Sequence, residues 1–267
     1  MTIFQQPLWG FEFTYPADWV HQTLGEVEGF AEMPAALEPG YTGERSGHLL
    51  VRPEWNATLQ PVEPLWSQHI GATAGLIGAK RVGSAPWQMG GAVGLEAEIA
   101  MPKLSNLRLW SGILARDFLV LHFMVAHPKD DRARFEPLVT KLITSLRFVG
   151  AVDDVAVEAL GLPLPPGYVP IDPRQVIPDI ADPAPWSAYG GESSVGALQA
   201  FYLREVAAHG WTLDEFLPFP ADTGLGFARF RLKKDGAAAM VGLMPAGEER
   251  VTVLSPASIV IKQIENR

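Results

Sequence analysis

A chain of 267 residues, 48% hydrophobic and 19% charged, has material for one large or two ordinary cores and is not a disordered polymer. Its 30 acidic residues outnumber 21 basic ones, and no basic cluster is denser than Lys233-Lys234, which argues against a nucleic-acid partner. The absence of cysteine removes disulfides, thiolate metal sites and cysteine nucleophiles together.

The opening "MTIFQQPLWGFEF" has no basic lead, long apolar core and small-residue cleavage site, so no secretory leader is expected. The longest apolar run, "FLVLHFMVAH" at 118–127, is too short to span a bilayer. A cytoplasmic location without membrane insertion is the expectation, and "NAT" at 56–58 is an incidental glycosylation sequon.

In "GFEFTYPADWV", residues 10–20, Phe11, Phe13 and Tyr15 alternate with Glu12 and Thr14, as in a half-buried strand. Pro16 cannot extend the ladder, so "PAD" is expected to turn the chain into a second strand running from Trp19 to Thr23, a hairpin-like start. Strands are expected at 29–33, 48–54, 80–84, 92–101, 107–116 and 118–126. The last two read as an antiparallel hairpin around Asp117, covered by helices. Residues 63–78 have helical spacing. So do residues 130–148, where Phe135, Leu138, Val139, Leu142, Ile143 and Leu146 form an apolar stripe. Pro137 belongs in a first turn, which predicts a start near Phe135.

From 151 the texture changes. Eight prolines between Pro163 and Pro185 predict a connector and an extended surface lead-in. The expected division is therefore residues 1–150 and 151–267. In "SSVGALQAFYLREVAAHG", 193–210, Ser193 or Ser194 caps a helix with an apolar stripe of Val195, Leu198, Phe201, Tyr202 and Val206, and Gly210 supplies a left-handed cap. "WTLDEFLPF", "GFARFRLKK", "AAAMVGLMP" and either "RVTVLSP" or "SIVIKQI" follow as short strands, with "KKDG" as a hairpin turn. One helix on a short antiparallel meander makes a small α+β domain.

The order of elements in residues 8–149, the opening "GFEFTYPADWV" and the closing "FEPLVTKLITSLRF" resemble the superfamily of the PsbP extrinsic subunit of photosystem II, the small Ran-binding nuclear import factors and the DcrB-like proteins. The resemblance implies an α+β fold, an antiparallel-sheet α/β/α sandwich. It implies scaffolding or adaptor roles and no reaction. The residues from 151 onward resemble no family with a known role.

Candidate chemistry is sparse. The six histidines show no ligand spacing, and His122 and His127 fall on opposite faces of one strand, so no metal or other cofactor is expected. "GESSVG" at 191–196 misses the nucleophile-elbow pattern because Glu192 stands where glycine belongs, and its serines read as a helix cap. The glycines of "MGGAVGLEAE" at 89–98 and "TGLGF" at 223–227 lead into strands, which fits hairpin turns and not phosphate loops. Glu96 and Glu98 share one strand face, as an acid/base pair or as a solvated surface. Of the eight tryptophans, Trp9, Trp55, Trp87 and Trp186 stand beside prolines or strand ends and are the candidates for an exposed aromatic patch. The function expected is a non-enzymatic binding or adaptor protein that docks another protein through such a patch, as a monomer or homodimer. The competing reading is a small-ligand protein or enzyme with its site between the two domains.

Overall fold

The computed structural model describes residues 1–38, 41, 46–77, 80–101, 106–152, 155–220, 226–246 and 252–264. It contains two compact units, Met1–Gln6 with Phe11–Phe148, and Pro7–Gly10 with Val149–Arg267. The architecture is α+β, with every paired strand antiparallel to its neighbour and three α-helices among the described residues.

In the first unit the elements are β1 (Thr2–Gln6), β2 (Phe11–Tyr15), β3 (Val20–Leu24), β4 (Val27–Ala31), β5 (His48–Trp55), α1 (Val62–Ile77), β6 (Lys80–Met89), β7 (Ala92–Ala100), β8 (Leu107–Arg116), β9 (Leu119–Pro128), α2 (Arg132–Ser145) and β10 (Arg147–Phe148). Seven strands form one sheet in the order β3-β4-β5-β9-β8-β7-β6, and β1-β2-β10 form a small second one.

Register assigns the faces of the large sheet. Phe30, Leu49, Val125 and Trp110 lie opposite one another across four strands and share one face. Arg52, His122 and Ile113 form a row on the other. The helix α1 covers the second face through Leu65 and the fully buried Trp66, whose indole Nε1–H donates to Ser111 Oγ at 3.1 Å. The helix α2 covers the first, where Phe135 stacks on His127 with ring centres 5.0 Å apart. Helices on both faces make the α/β/α sandwich, and His122 and His127 are divided between them as the alternation predicts.

Two local expectations are corrected. The strands β2 and β3 are not a hairpin. After the turn closed by Trp19 N–H to the Pro16 carbonyl, β3 pairs with β4 in the large sheet, while β2 pairs with β1 and β10. The aromatic alternation serves this arrangement, for Phe4 and Phe13 both pack on Phe30, at 5.0 and 5.1 Å. Helix α2 begins at Arg132, three residues before Phe135, with Pro137 inside it. Pro137 removes the donor for the Ala133 carbonyl, but both residues are exposed, so water satisfies the acceptor and the helix continues.

In the second unit β11 (Ala156–Val157) pairs with β12 (Pro163–Leu164). The strands β13 (Val169–Ile171), β14 (Trp186–Gly190), β15 (Thr212–Leu217), β16 (Ala228–Lys234), β17 (Ala237–Pro245) and β18 (Ala257–Ile264) form a sheet ordered β13-β14-β18-β17-β16-β15. The helix α3 (Val195–Ala208) packs Val195, Leu198, Phe201, Tyr202 and Val206 on one face, against Phe230, Leu232, Val241, Leu243, Ile259 and Ile261. Ser194 is its N-cap, accepting from Ala197 N–H at 3.3 Å, and Gly210 takes the left-handed conformation after it. Asp235 and Gly236, with φ of 45° and 82°, make the turn between β16 and β17.

The proline-rich segment is a surface lead-in only in part: residues 171–187 stay exposed or half-buried, but the stretch before them is docked. Leu162 and Tyr168 belong to the core, and the Tyr168 hydroxyl donates to the Ala257 carbonyl at 2.8 Å. Its extended backbone supplies β12 and the edge strand β13, where Pro170 is tolerated because an edge needs fewer donors. Of the two final candidates, "SIVIKQI" forms β18, while "RVTVLSP" lies partly outside the described residues.

Candidate functional site

The alternation that sets Glu96 and Glu98 on one face aims both toward α2. Glu96 lies opposite Gly112, and Glu98 opposite Trp110, whose other neighbour is Val125. Between this face and α2 runs a half-open cleft of about 350 Å³. Its sheet side carries Glu96, Glu98, Arg108, Trp110 and the buried His127, and its helix side carries Arg132, Glu136, Val139 and Ile143.

The polar groups of the cleft engage one another. Trp110 Nε1–H donates to Glu96 Oε2 at 3.1 Å, the Arg108 guanidinium pairs with Glu98, and Arg132 Nε donates to Glu136 Oε1 at 2.5 Å. His127 Nδ1 lies 2.8 Å from the Pro128 carbonyl, which can only accept, so Nδ1 carries the proton. The result is an amphipathic groove, with Trp110, Val125, Val139 and Ile143 as its apolar lining and ion pairs at its rim. Such a surface is suited to holding an extended segment or a side chain.

On the opposite face, under α1, Glu54 Oε2 accepts from His122 Nε2 at 3.0 Å, and the His69 ring lies 4.5 Å from that of His122. Burial, and then the positive charges of His122 and Arg52, hold His69 down to about 4. The hydrogen bond from His122 holds Glu54 below the ordinary carboxylate range. Burial also pushes His48 down to about 4. The His48 and His69 imidazoles are therefore neutral at pH 7 and form part of the packing. Among the described residues no three His, Asp or Glu side chains gather as a metal site, and no helix is long and apolar enough to cross a membrane.

No family model and no curated protein matches the sequence. Solved structures do resemble part of it. Cyanobacterial PsbP (CyanoP) from Synechocystis is 13% identical, with a TM-score of 0.44 over 54% of this chain and 90% of that one. LpqN, involved in cell envelope biogenesis of Mycobacterium tuberculosis, is 11% identical, with a TM-score of 0.40 over 51% and 82%. PA94, a Pseudomonas aeruginosa protein of unknown function, is 15% identical, with a TM-score of 0.35 over 52% and 91%. Each of these matches covers about half of the chain.

The expected aromatic patch does not form from the four tryptophans named for it. Trp9, Trp55 and Trp87 are buried, at 4, 5 and 7% exposure. Trp55 stacks on Phe118 at 4.9 Å, and Trp87 meets Trp110 and Phe123 edge-on at 5.7 and 5.3 Å. Strand ends and neighbouring prolines mark where a chain turns, and a turn over a core buries its aromatics as readily as it exposes them. Only Trp186, in β14, stays half-exposed among the four.

The serines of "GESSVG" do cap a helix, and Gly90 and Gly91, with φ of 56° and 82°, turn β6 into β7. Residues 223–225 of "TGLGF" lie outside the described residues. Arg108 and Trp110 were not singled out from the sequence, and His127 was weighed there only as a metal ligand. Their grouping with Glu96 and Glu98 depends on the register of β7, β8 and β9. The one local sign of it is that Arg108 and Trp110 share the parity of a single strand face.

Proposed function

We propose that this chain is a non-enzymatic binding protein that docks another protein, with the cleft beside α2 as a contact site. The observation that carries the reading is the mutual pairing of the cleft's charged groups around an apolar lining. The groove is preformed, and its carboxylates are already engaged by Arg108, Arg132 and the Trp110 indole. Preorganised rims of this kind favour recognition, because a partner need not order them on arrival.

The test places a photo-crosslinking residue at Thr140, on the helix side of the cleft, in the full chain and captures partners from the native host. Capture of one protein, lost when Val139→Arg fills the groove without lowering the thermal midpoint, is the expected result. Capture unaffected by Val139→Arg overturns the assignment of this groove. A cleft of about 350 Å³ also falls within the range of small-molecule pockets, roughly 300–1,000 Å³, which favours a small ligand as the second reading. Native mass spectrometry separates the two, since a reproducible added mass of small-molecule size supports the ligand and a clean chain mass supports the protein partner.

A further inference from the structure

In the second unit α3 packs on one face of the six-stranded sheet, and the opposite face is half-exposed. The alternation is plain in β16, where Ala228, Phe230 and Leu232 are buried against the helix while Arg229, Arg231 and Lys233 point away from it. Register extends this row across the sheet: Arg231 lies opposite Met240, Met240 opposite Lys262, and Lys262 opposite Trp186. Four strands thus present two cations, a thioether and an indole side by side, all partly exposed.

The charge of this sheet runs against that of the chain. Its strands carry Arg229, Arg231, Lys233, Lys234 and Lys262 against only Asp214 and Glu215, in a protein of formal charge −9. The two carboxylates sit on the edge strand β15 and hold their neighbours, Asp214 with Arg231 and Lys233, Glu215 with Arg229, at 2.9 to 3.2 Å. Lys262, in the middle of the sheet, makes no ion pair among the described residues. Its ammonium lies over the Trp186 ring, 5.0 Å from the centroid. An uncompensated cation beside an indole and a methionine is complementary to a carboxylate flanked by an apolar side chain.

We propose that this face docks an acidic segment of a partner protein, with its carboxylates meeting Lys262 and Arg231 and an apolar side chain seated on Trp186 and Met240. The proposal rests on reading the chain as a protein-binding module, but on a surface separate from the α2 cleft. A peptide suits the face better than a nucleic acid does. Asp214 and Glu215 interrupt the basic row where a continuous phosphate backbone would run, whereas a peptide needs only the local group of Lys262, Arg231, Trp186 and Met240.

The experiment is fluorescence anisotropy on the full chain with a short fluorescein-labelled peptide of Glu, Asp and Leu, compared with its Lys counterpart, oligo-thymidine and phosphatidylserine vesicles. Expected are binding of the acidic peptide that weakens with salt, a loss of about tenfold or more in Lys262→Glu and in Trp186→Ala, and no change in Lys80→Glu, a variant of the first unit. Equal thermal midpoints for the variants show that the fold is intact. No binding at low salt, equal binding by Lys262→Glu, or preference for oligo-thymidine or vesicles overturns the proposal. Val139→Arg is expected to bind the peptide normally. Failure of the peptide alone therefore leaves the cleft reading standing, and failure of cleft-dependent capture alone leaves this one standing.

Discussion

His48 shows how burial of one side chain sets a response to acid. Its imidazole is 8% exposed, and burial lowers it from the ordinary 6.5 to about 4, so the folded protein binds fewer protons than the unfolded chain between those values. Stability is full above pH 6.5 and declines as pH falls toward 4, by roughly 2–3 kcal/mol from His48 and by less from the more exposed His69. Thermal midpoints measured from pH 7 to pH 4.5 should fall, and His48→Gln should flatten part of that slope; an unchanged slope in the variant would remove His48 from the account. Neither effect was legible from sequence, because His48 and His69 owe their behaviour to what packs over them. The pair Glu96 and Glu98 was legible as far as its shared face, since alternation is local. The guanidinium and indole that meet them come from β8, and no local pattern reports how strands align.

At the level of elements, strands and helices with strong periodicity were readable with nearly their observed limits, β8 and α3 among them, because burial of one face and a capping serine act within a few residues. Pairing was less readable. The opening aromatics predicted a strand but not its neighbours, and β1 carries only one buried side chain, Phe4, to announce itself. The proline-rich segment is readable only in part for a related reason, since composition reports its surface stretch at 171–187 while the docking of Leu162 and Tyr168 depends on distant partners. The edge strand β6 has its own logic. Seven of its ten residues in succession are exposed, the register shifts between Val82 and Ala85, Gly83 takes a positive φ, and Pro86 lacks a donor. Bulges and prolines blunt an edge against pairing with another chain. Pro86→Thr combined with deletion of Gly83 should therefore produce concentration-dependent aggregation, read by light scattering, while Pro86→Thr alone should do so less. A double variant that stays monodisperse would show that β6 is protected by other means.

Across the whole molecule the two units are not successive stretches of sequence. Pro7–Gly10 belongs with residues 149–267, and Arg204 is the reason: its guanidinium donates to the Pro7 and Leu8 carbonyls and to Glu205, whose fully buried carboxylate also accepts from Val152 N–H at 3.0 Å. Arg204→Met leaves that carboxylate buried without its cation, at an expected loss of about 3 kcal/mol in urea unfolding, with Arg204→Lys recovering part of it. A loss below about 1 kcal/mol would show that water or a rearranged Glu205 compensates. The residues joined to Arg204 stand 196 and 197 positions before it. During translation, then, Pro7 and Leu8 emerge 197 and 196 residues ahead of the side chain that holds them, so this unit closes only after Arg204 has been made.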